Sequence, residues 1–100
     1  MIQPSLEFHP EAIAEARAAR SWYAQRSTAA ADAFMEEVDH AMEQISAAPD
    51  RWPIFAGSAR RYLLRRFPYM VVYRQTDTGI QVLAVAHARR RPGYWKKRES

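Results

Sequence analysis

The sequence predicts an α+β fold in which a helical hairpin packs on a mainly antiparallel sheet. Residues 9–27 and 28–47 carry apolar residues at the three- and four-residue spacing of helices. Residues 60–87 carry β-branched and aromatic residues in three short runs, which is typical of strands. The predicted order is β-α-α-β-β-β followed by a basic tail. A chain of 100 residues without an internal repeat favours a single domain over residues 1–100.

The first two elements are a short strand and a helix. Residues 2–8 (IQPSLEF) predict a strand, and Pro4 has no N–H to donate, which favours an edge position or pairing that starts after it. The helix is expected to begin at Pro10, because proline suits the first helical position. Its apolar residues recur at helical spacing from Ile13 to Tyr23.

The second helix is predicted from Thr28 to about Ala47. Ser27 or Thr28 can cap its amino end, and Pro49 stops it. Six residues form one apolar stripe along it: Ala30, Phe34, Val38, Ala41, Met42 and Ile45. The two helices therefore form an antiparallel hairpin.

The rest of the chain predicts a loop and a three-stranded meander. Residues 48–59 (APDRWPIFAGSA) form the loop, which is apolar enough to pack against the core. The strands are expected at Arg60–Phe67, Tyr69–Gln75 and Ile80–His87, and Gly79 closes the turn before the last strand.

Strict alternation along the last strand predicts which residues share a face. Ile80, Val82, Ala84 and Ala86 are expected on one face, and Gln81, Leu83, Val85 and His87 on the other. We expect the arginines of the first meander strand to share a concave surface with His87, on the sheet face that the helices leave uncovered.

Charge divides the chain into two unequal halves. Residues 1–59 hold four arginines against nine acids, a net charge of −5, whereas residues 60–100 hold eleven lysines and arginines against two acids, a net charge of +9. A half-chain this basic favours phosphate or another acidic partner, with a solvated basic surface as the alternative. The absence of cysteine excludes disulfides and thiolate metal sites, and no metal or cofactor motif is present. Without an apolar run or signal segment, we expect a cytoplasmic protein and no membrane contact.

Three stretches in this order resemble toxins of the RelE/ParE superfamily: WP at 52–53, RRYLLRRFPYMVVYR at 60–74 and VLAVAHARRRPGYWKKR at 82–98. The resemblance runs from Leu6 to Arg98. It implies the toxin half of a type II toxin–antitoxin module, often labelled a plasmid stabilization protein, which assembles with a cognate antitoxin into a hetero-oligomer. One branch of the superfamily cleaves mRNA on the ribosome, and another poisons DNA gyrase.

Five residues supply the chemistry that metal-free RNA cleavage needs. A histidine suits proton transfer near neutral pH, so His87 is a candidate acid–base group. Arg61 and Arg65 lie four residues apart, so on an extended strand they would share a face and clamp a phosphate. Arg90 would add charge stabilisation, and Tyr94 would donate a proton or stack on a base. The resemblance implies these five as catalytic residues.

The remaining cations and one aromatic residue are candidates for nucleic-acid binding: Arg60, Arg66, Arg89, Arg91, Trp95, Lys96, Lys97 and Arg98. Structural alternatives apply to several of them. Trp95 would instead fold back on the open sheet edge, His87 would hydrogen-bond at the strand end, and the terminal cations would only solubilise the chain.

The expected function is growth inhibition by ribosome-dependent mRNA cleavage, which would make the protein an endoribonuclease that needs no cofactor. The alternative is a gyrase poison without catalytic activity. It is favoured by the loop before the sheet, which offers only Asp50 and Arg51 where several interferases carry lysines or a catalytic glutamate. A second alternative is a non-toxic relic that binds its antitoxin or nucleic acid.

Overall fold

In the computed structural model, which describes residues 5–99, two helices pack on a five-stranded mixed sheet. The elements in chain order are β1 (Ser5–Phe8), α1 (Pro10–Ala24), α2 (Thr28–Ala47), β2 (Ile54–Ala56), β3 (Ala59–Leu63), β4 (Tyr69–Thr76), β5 (Gly79–His87) and a 3₁₀ helix (Lys96–Glu99). The sheet order is β1-β5-β4-β3-β2, with β1 parallel to β5 and the other pairs antiparallel. The predicted α+β fold is confirmed, and β2 is a strand that the sequence analysis assigned to a loop.

The amino end of the chain lies at the edge of the sheet. β1 pairs only with β5, which agrees with the expected edge position, although residues 2–4, including Pro4, lie outside the described residues. β1 approaches β5 so closely that a Cβ added at Gly79 would overlap the backbone of Ser5. Only glycine therefore fits at the start of β5.

Side-chain caps fix the start of each helix. The His9 ring nitrogen Nδ1 accepts a hydrogen bond from the Glu11 N–H at 3.1 Å, and Ser27 Oγ accepts one from the Ala30 N–H at 3.1 Å. In α1 the buried residues are Ala12 and Ala19, whereas Ile13 is 39% exposed. The expected stripe starting at Ile13 is thus wrong at its first position, because the face that meets the sheet begins one residue earlier.

The core between helices and sheet contains the predicted stripe of α2 except for Ala30, which is only half-buried. Phe34, Val38, Ala41, Met42 and Ile45 are all buried there, packed against residues of β4 and β5. These residues recur every three or four positions, so one face of α2 supplies most of the apolar surface that the sheet needs.

The first meander strand ends four residues earlier than expected. β3 stops at Leu63, because the Leu64 N–H donates to the Tyr69 carbonyl across a tight loop at 3.0 Å. The Glu37 carboxylate of α2 accepts hydrogen bonds from the next two backbone N–H groups, those of Arg65 and Arg66, so these groups do not pair with a strand. Residues 64–67 are therefore a loop, and the predicted strand Arg60–Phe67 is wrong over this part.

A bulge in β5 changes which residues share a face. Val72 pairs with Ala84 and Tyr73 pairs with Val82, so Leu83 is an extra residue on β5. Leu83 and Ala84 consequently both pack on the sheet face opposite the helices, and Val85 returns to the helix face. The predicted alternation holds up to Leu83 and is wrong from Ala84 onward.

The chain after β5 folds back over the second face of the sheet. Trp95 is 1% exposed and packs there with Ala59, Val72, Leu83 and Ala84. This second apolar cluster covers the face that the sequence analysis left open. None of the helices within residues 5–99 has the length and hydropathy to cross a membrane.

Candidate functional site

The basic tail is held by a carboxylate from the first helix. Glu15 of α1 lies against the outer edge of β5, and its side chain is 13% exposed. Three side chains of the tail, from Arg90, Tyr94 and Arg98, converge on it. We call this set of four side chains the Glu15 cluster.

Every polar atom of the Glu15 carboxylate has a donor. Oε1 accepts from the Arg98 guanidinium at 2.8 Å and from the Val85 N–H at 3.1 Å. Oε2 accepts from the Tyr94 hydroxyl and from the second Arg98 nitrogen at 3.3 Å. Arg90 lies 3.6 Å from Oε2, with its guanidinium 3.8 Å from the centre of the Tyr94 ring. The carboxylate is thus neutralised within the chain.

The sheet explains why these groups meet here. β1 pairs with β5 only as far as Val82, so the outer edge of β5 beyond it has no neighbouring strand. Glu15 accepts the Val85 N–H, and Arg98 donates to the Leu83 carbonyl at 3.0 Å. Two side chains thereby satisfy backbone groups that a longer β1 would have paired.

This environment changes the acidity of the groups in the cluster. Burial raises the pKa of the Tyr94 hydroxyl, and the hydrogen bond to Glu15 raises it further. Burial alone would lower the pKa of Arg98, but the hydrogen bond and the negative charge of Glu15 outweigh it, so this pKa is raised. Tyr94 is therefore a weaker acid than a free tyrosine, and its proton already has an acceptor.

His87 ends β5 on the helix face, where its ring meets the Tyr69 ring edge-on at 5.0 Å between centroids. Its Nδ1 accepts a hydrogen bond from the Arg89 N–H at 3.0 Å, so the lone pair of that nitrogen is already used. The histidine thus shapes the turn after β5, which is the structural alternative named for it.

Arg61 and Arg65 do not lie on one extended strand as expected, although both line the same groove beside α2. Arg61 lies opposite Val72, on the second face of the sheet, with its guanidinium 4.9 Å from the Phe55 ring centre. Arg65 follows the end of β3 and lines a groove against α2. The shared-face prediction is wrong because β3 ends at Leu63, and the expected surface common to Arg61 and His87 is wrong because they lie on opposite faces.

The other predicted binding residues differ in their contacts and in their exposure. Arg60 donates to the Trp52 carbonyl at 2.6 Å, and Arg66 donates to Glu37 at 2.8 Å. Trp95 is buried, so its expected stacking on a base is wrong in this conformation. Arg98 is also wrongly placed as a surface cation, since its side chain is 13% exposed and bound to Glu15. Arg89, Arg91, Lys96 and Lys97 are exposed, and so is Arg66 despite its ion pair with Glu37.

A cleft of about 480 Å³ opens between α1 and the ends of β4 and β5. It brings together three of the five predicted catalytic residues, His87, Arg90 and Tyr94, beside the rings of Trp22 and Tyr69. Its walls are mostly apolar and aromatic, and its charged groups, Glu15 and Arg90, already contact each other. The cleft therefore suits an inserted apolar or aromatic side chain better than proton transfer.

The sequence analysis did not identify the two acids that hold the basic segments. Glu15 lies between Ala12 and Ala19 on the buried stripe of α1, and Glu37 lies between Phe34 and Ala41 on that of α2. An acid at a buried helical position needs a partner, and that is the signal that would have found both.

Comparison with known proteins identifies a family and a similar solved structure. The family model described as the ParE toxin of the type II toxin–antitoxin system parDE matches residues 6–92. A solved structure titled as the chromosomal ParDE TA system from P. aeruginosa superposes with a TM-score of 0.74 at 19% sequence identity, and the match covers 85% of this chain and 96% of that chain. At that identity, the structural match establishes the fold alone. No curated protein matches the sequence.

Proposed function

The chain belongs to the ParE toxin family of type II toxin–antitoxin systems, and we propose that it stops bacterial growth by binding DNA gyrase and trapping it in a cleaved complex with DNA. Membership of this family implies an antitoxin partner. The proposal assigns the toxin a binding role, without a catalytic step of its own.

This proposal rests on the hydrogen bonds that the candidate proton-transfer groups already form within the fold. Nδ1 of His87 accepts a backbone N–H, and the Tyr94 hydroxyl donates to Glu15 and has a raised pKa. RNA cleavage needs one group to accept the 2′-hydroxyl proton and another to donate to the leaving oxygen. Both candidates already have hydrogen-bond partners in the fold, which supports a binding protein over a ribonuclease.

The position of the arginines supports the same choice. A phosphate-stabilising site needs cations converging on one point, yet Arg61 lies on the opposite sheet face from His87. Arg90 is directed to the Glu15 carboxylate and the Tyr94 ring. The hypothesis of ribosome-dependent mRNA cleavage therefore has less support than the gyrase hypothesis.

The antitoxin is expected to cover exposed apolar side chains and neutralise the basic surface. Leu63, Ile54 and Trp22 are 59%, 54% and 50% exposed, which is unusual for residues of this size. An acidic segment that folds on binding would bury them and face the cations of residues 60–99. The electrostatic part of its affinity should fall with salt, whereas the apolar part should not.

Expression of the protein alone in a bacterial host tests the proposal. We expect growth to stop, reporter plasmids to lose negative supercoiling, and mRNA to acquire no new 5′ ends in phase with codons. Codon-phased cuts that disappear with His87→Ala would instead establish the ribonuclease. Normal growth in the presence of verified, folded protein would instead support the interpretation as a non-toxic relic.

A further inference from the structure

A second cavity, of about 500 Å³, lies between the carboxyl-terminal half of α2, the loop before β2, and β3. We call it the α2–β3 groove. Its walls include His40, Arg51, Trp52, Tyr62 and Arg65. It is separate from the cleft at the Glu15 cluster, because the two cavities share no lining residue.

The α2–β3 groove is lined by three arginines, Arg51, Arg61 and Arg65, and the Glu37 carboxylate at its margin is paired with Arg66. No carboxylate lines it in the part of the chain that the structure describes. Neighbouring arginines are neutralised by the chain itself, Arg66 by Glu37 and Arg60 by Asp50. Arg51 and Arg65 are exposed, and neither forms an ion pair with a carboxylate of residues 5–99. Their charges are therefore available to an external anion.

Aromatic rings accompany these cations. The rings of Trp52 and Tyr62 lie 4.9 Å apart between centroids and are inclined at 57°, and both residues are half-buried. The Arg51 guanidinium lies over the Trp52 ring at 5.4 Å. Cations beside partly exposed aromatic faces are the combination by which proteins bind single-stranded nucleic acid, since phosphates pair with the cations and unpaired bases stack on the rings.

We propose that the α2–β3 groove binds single-stranded nucleic acid. Arg51 and Arg65 contact successive phosphates, and a base lies against Trp52 and Tyr62. A volume of about 500 Å³ is within the usual range for small-ligand sites. An acidic peptide would satisfy the two arginines but would leave the aromatic pair without a planar partner. This binding goes beyond the contact with gyrase and does not depend on it.

Fluorescence anisotropy with a fluorescein-labelled single-stranded DNA oligonucleotide tests the proposal in the absence of gyrase and antitoxin. The test variant is Arg51→Gln with Arg65→Gln. The matched control is Arg17→Gln with Arg20→Gln, which removes the same charge from two exposed arginines of α1 that also have no carboxylate partner within residues 5–99. Far-UV circular dichroism verifies that both variants fold.

The groove variant should bind the oligonucleotide about 10-fold or more weakly, and the control should remain within about 2-fold of the wild type. Each phosphate contact on a single strand contributes about 0.7 to the slope of log affinity against log salt, so losing two should reduce the slope by about 1.4. In a Trp22→Phe background, bound oligonucleotide should quench Trp52 fluorescence, because Trp95 is buried.

Three results would overturn the proposal. The first is that the wild type does not bind the oligonucleotide at low salt. The second is that the two double variants lose affinity equally, which would indicate a general effect of net charge. The third is displacement of the oligonucleotide by polyglutamate at the same concentration of charges, which would identify the groove as a site for an acidic peptide. Each of these results leaves the gyrase proposal to its own test.

Discussion

Replacing Glu15 by glutamine should lower the free energy of unfolding by about 3 kcal/mol. Glutamine keeps the size of the side chain but removes its charge and one of its two acceptor atoms. The Arg98 guanidinium and the Tyr94 hydroxyl would then compete for one oxygen, which Val85 also uses. A hydrogen bond to a charged group contributes roughly 1.5–3 kcal/mol, and removing one partner of a buried pair costs about 3–5 kcal/mol.

The magnitude follows from burial. Glu15 and Arg98 are each 13% exposed, so water screens their interaction only slightly. Arg90 is 53% exposed and adds little. For a domain of this size, about 3 kcal/mol corresponds to a decrease in Tm of roughly 12–24 °C.

Urea denaturation followed by circular dichroism measures this change. Glu43→Gln is the matched control, since this carboxylate of α2 is exposed, and its replacement should stay within about 0.5 kcal/mol of the wild type. A cycle with Arg98→Met, which keeps the aliphatic bulk, should give a coupling of about 2 kcal/mol between the two residues. Equal effects of Glu15→Gln and Glu43→Gln, or no coupling to Arg98, would refute the assigned role of the Glu15 cluster.

Three further changes test the fold. Burial would raise the pKa of the Glu37 carboxyl group, but its hydrogen bonds to Arg66 and Arg65 lower that pKa below 4.5. The loss of unfolding free energy in Glu37→Gln should therefore be largest at about pH 7 and become smaller as the pH falls through the lowered pKa. Unfolding measured over a range of acidic pH values tests this. Gly79→Ala should cost about 2 kcal/mol and selectively speed hydrogen exchange in β1, because the added methyl group overlaps Ser5; unchanged exchange would contradict this. Trp95→Ala should cost about 3–5 kcal/mol, whereas Trp22→Ala at a half-exposed site should cost much less, and equal denaturation midpoints would show that the tail is not packed on the sheet.

Periodic elements were predictable from the sequence, because one-sided burial leaves a regular pattern. The stripe from Phe34 to Ile45 identified α2 almost to the residue. The run of β-branched and aromatic residues from Tyr69 identified β4 in the same way. α2 buries one face, whereas β4 is buried on both faces at Val71, Val72 and Tyr73, and each kind of burial leaves a local pattern of apolar residues.

Features that depend on distant partners were not predictable in this way. The bulge at Leu83 shifts the faces of β5 without any local signal, and it places His87 and Arg61 on opposite sides of the sheet. The end of β3 depends on Glu37, which is 28 residues from Arg65 in sequence. The cations near the carboxyl end suggested an external anion, but for Arg90 and Arg98 the anion is Glu15 of the same chain.

Reconstitution with purified DNA gyrase tests the central claim most directly. Relaxed plasmid, ATP and gyrase are mixed with increasing amounts of the toxin, and both supercoiling and cleaved DNA are measured. The account predicts loss of supercoiling together with linear DNA that appears after denaturation of the protein, and it predicts that His87→Ala retains this activity because the histidine has no catalytic role. Normal supercoiling at saturating, folded toxin, with no cleaved complex, would contradict the account.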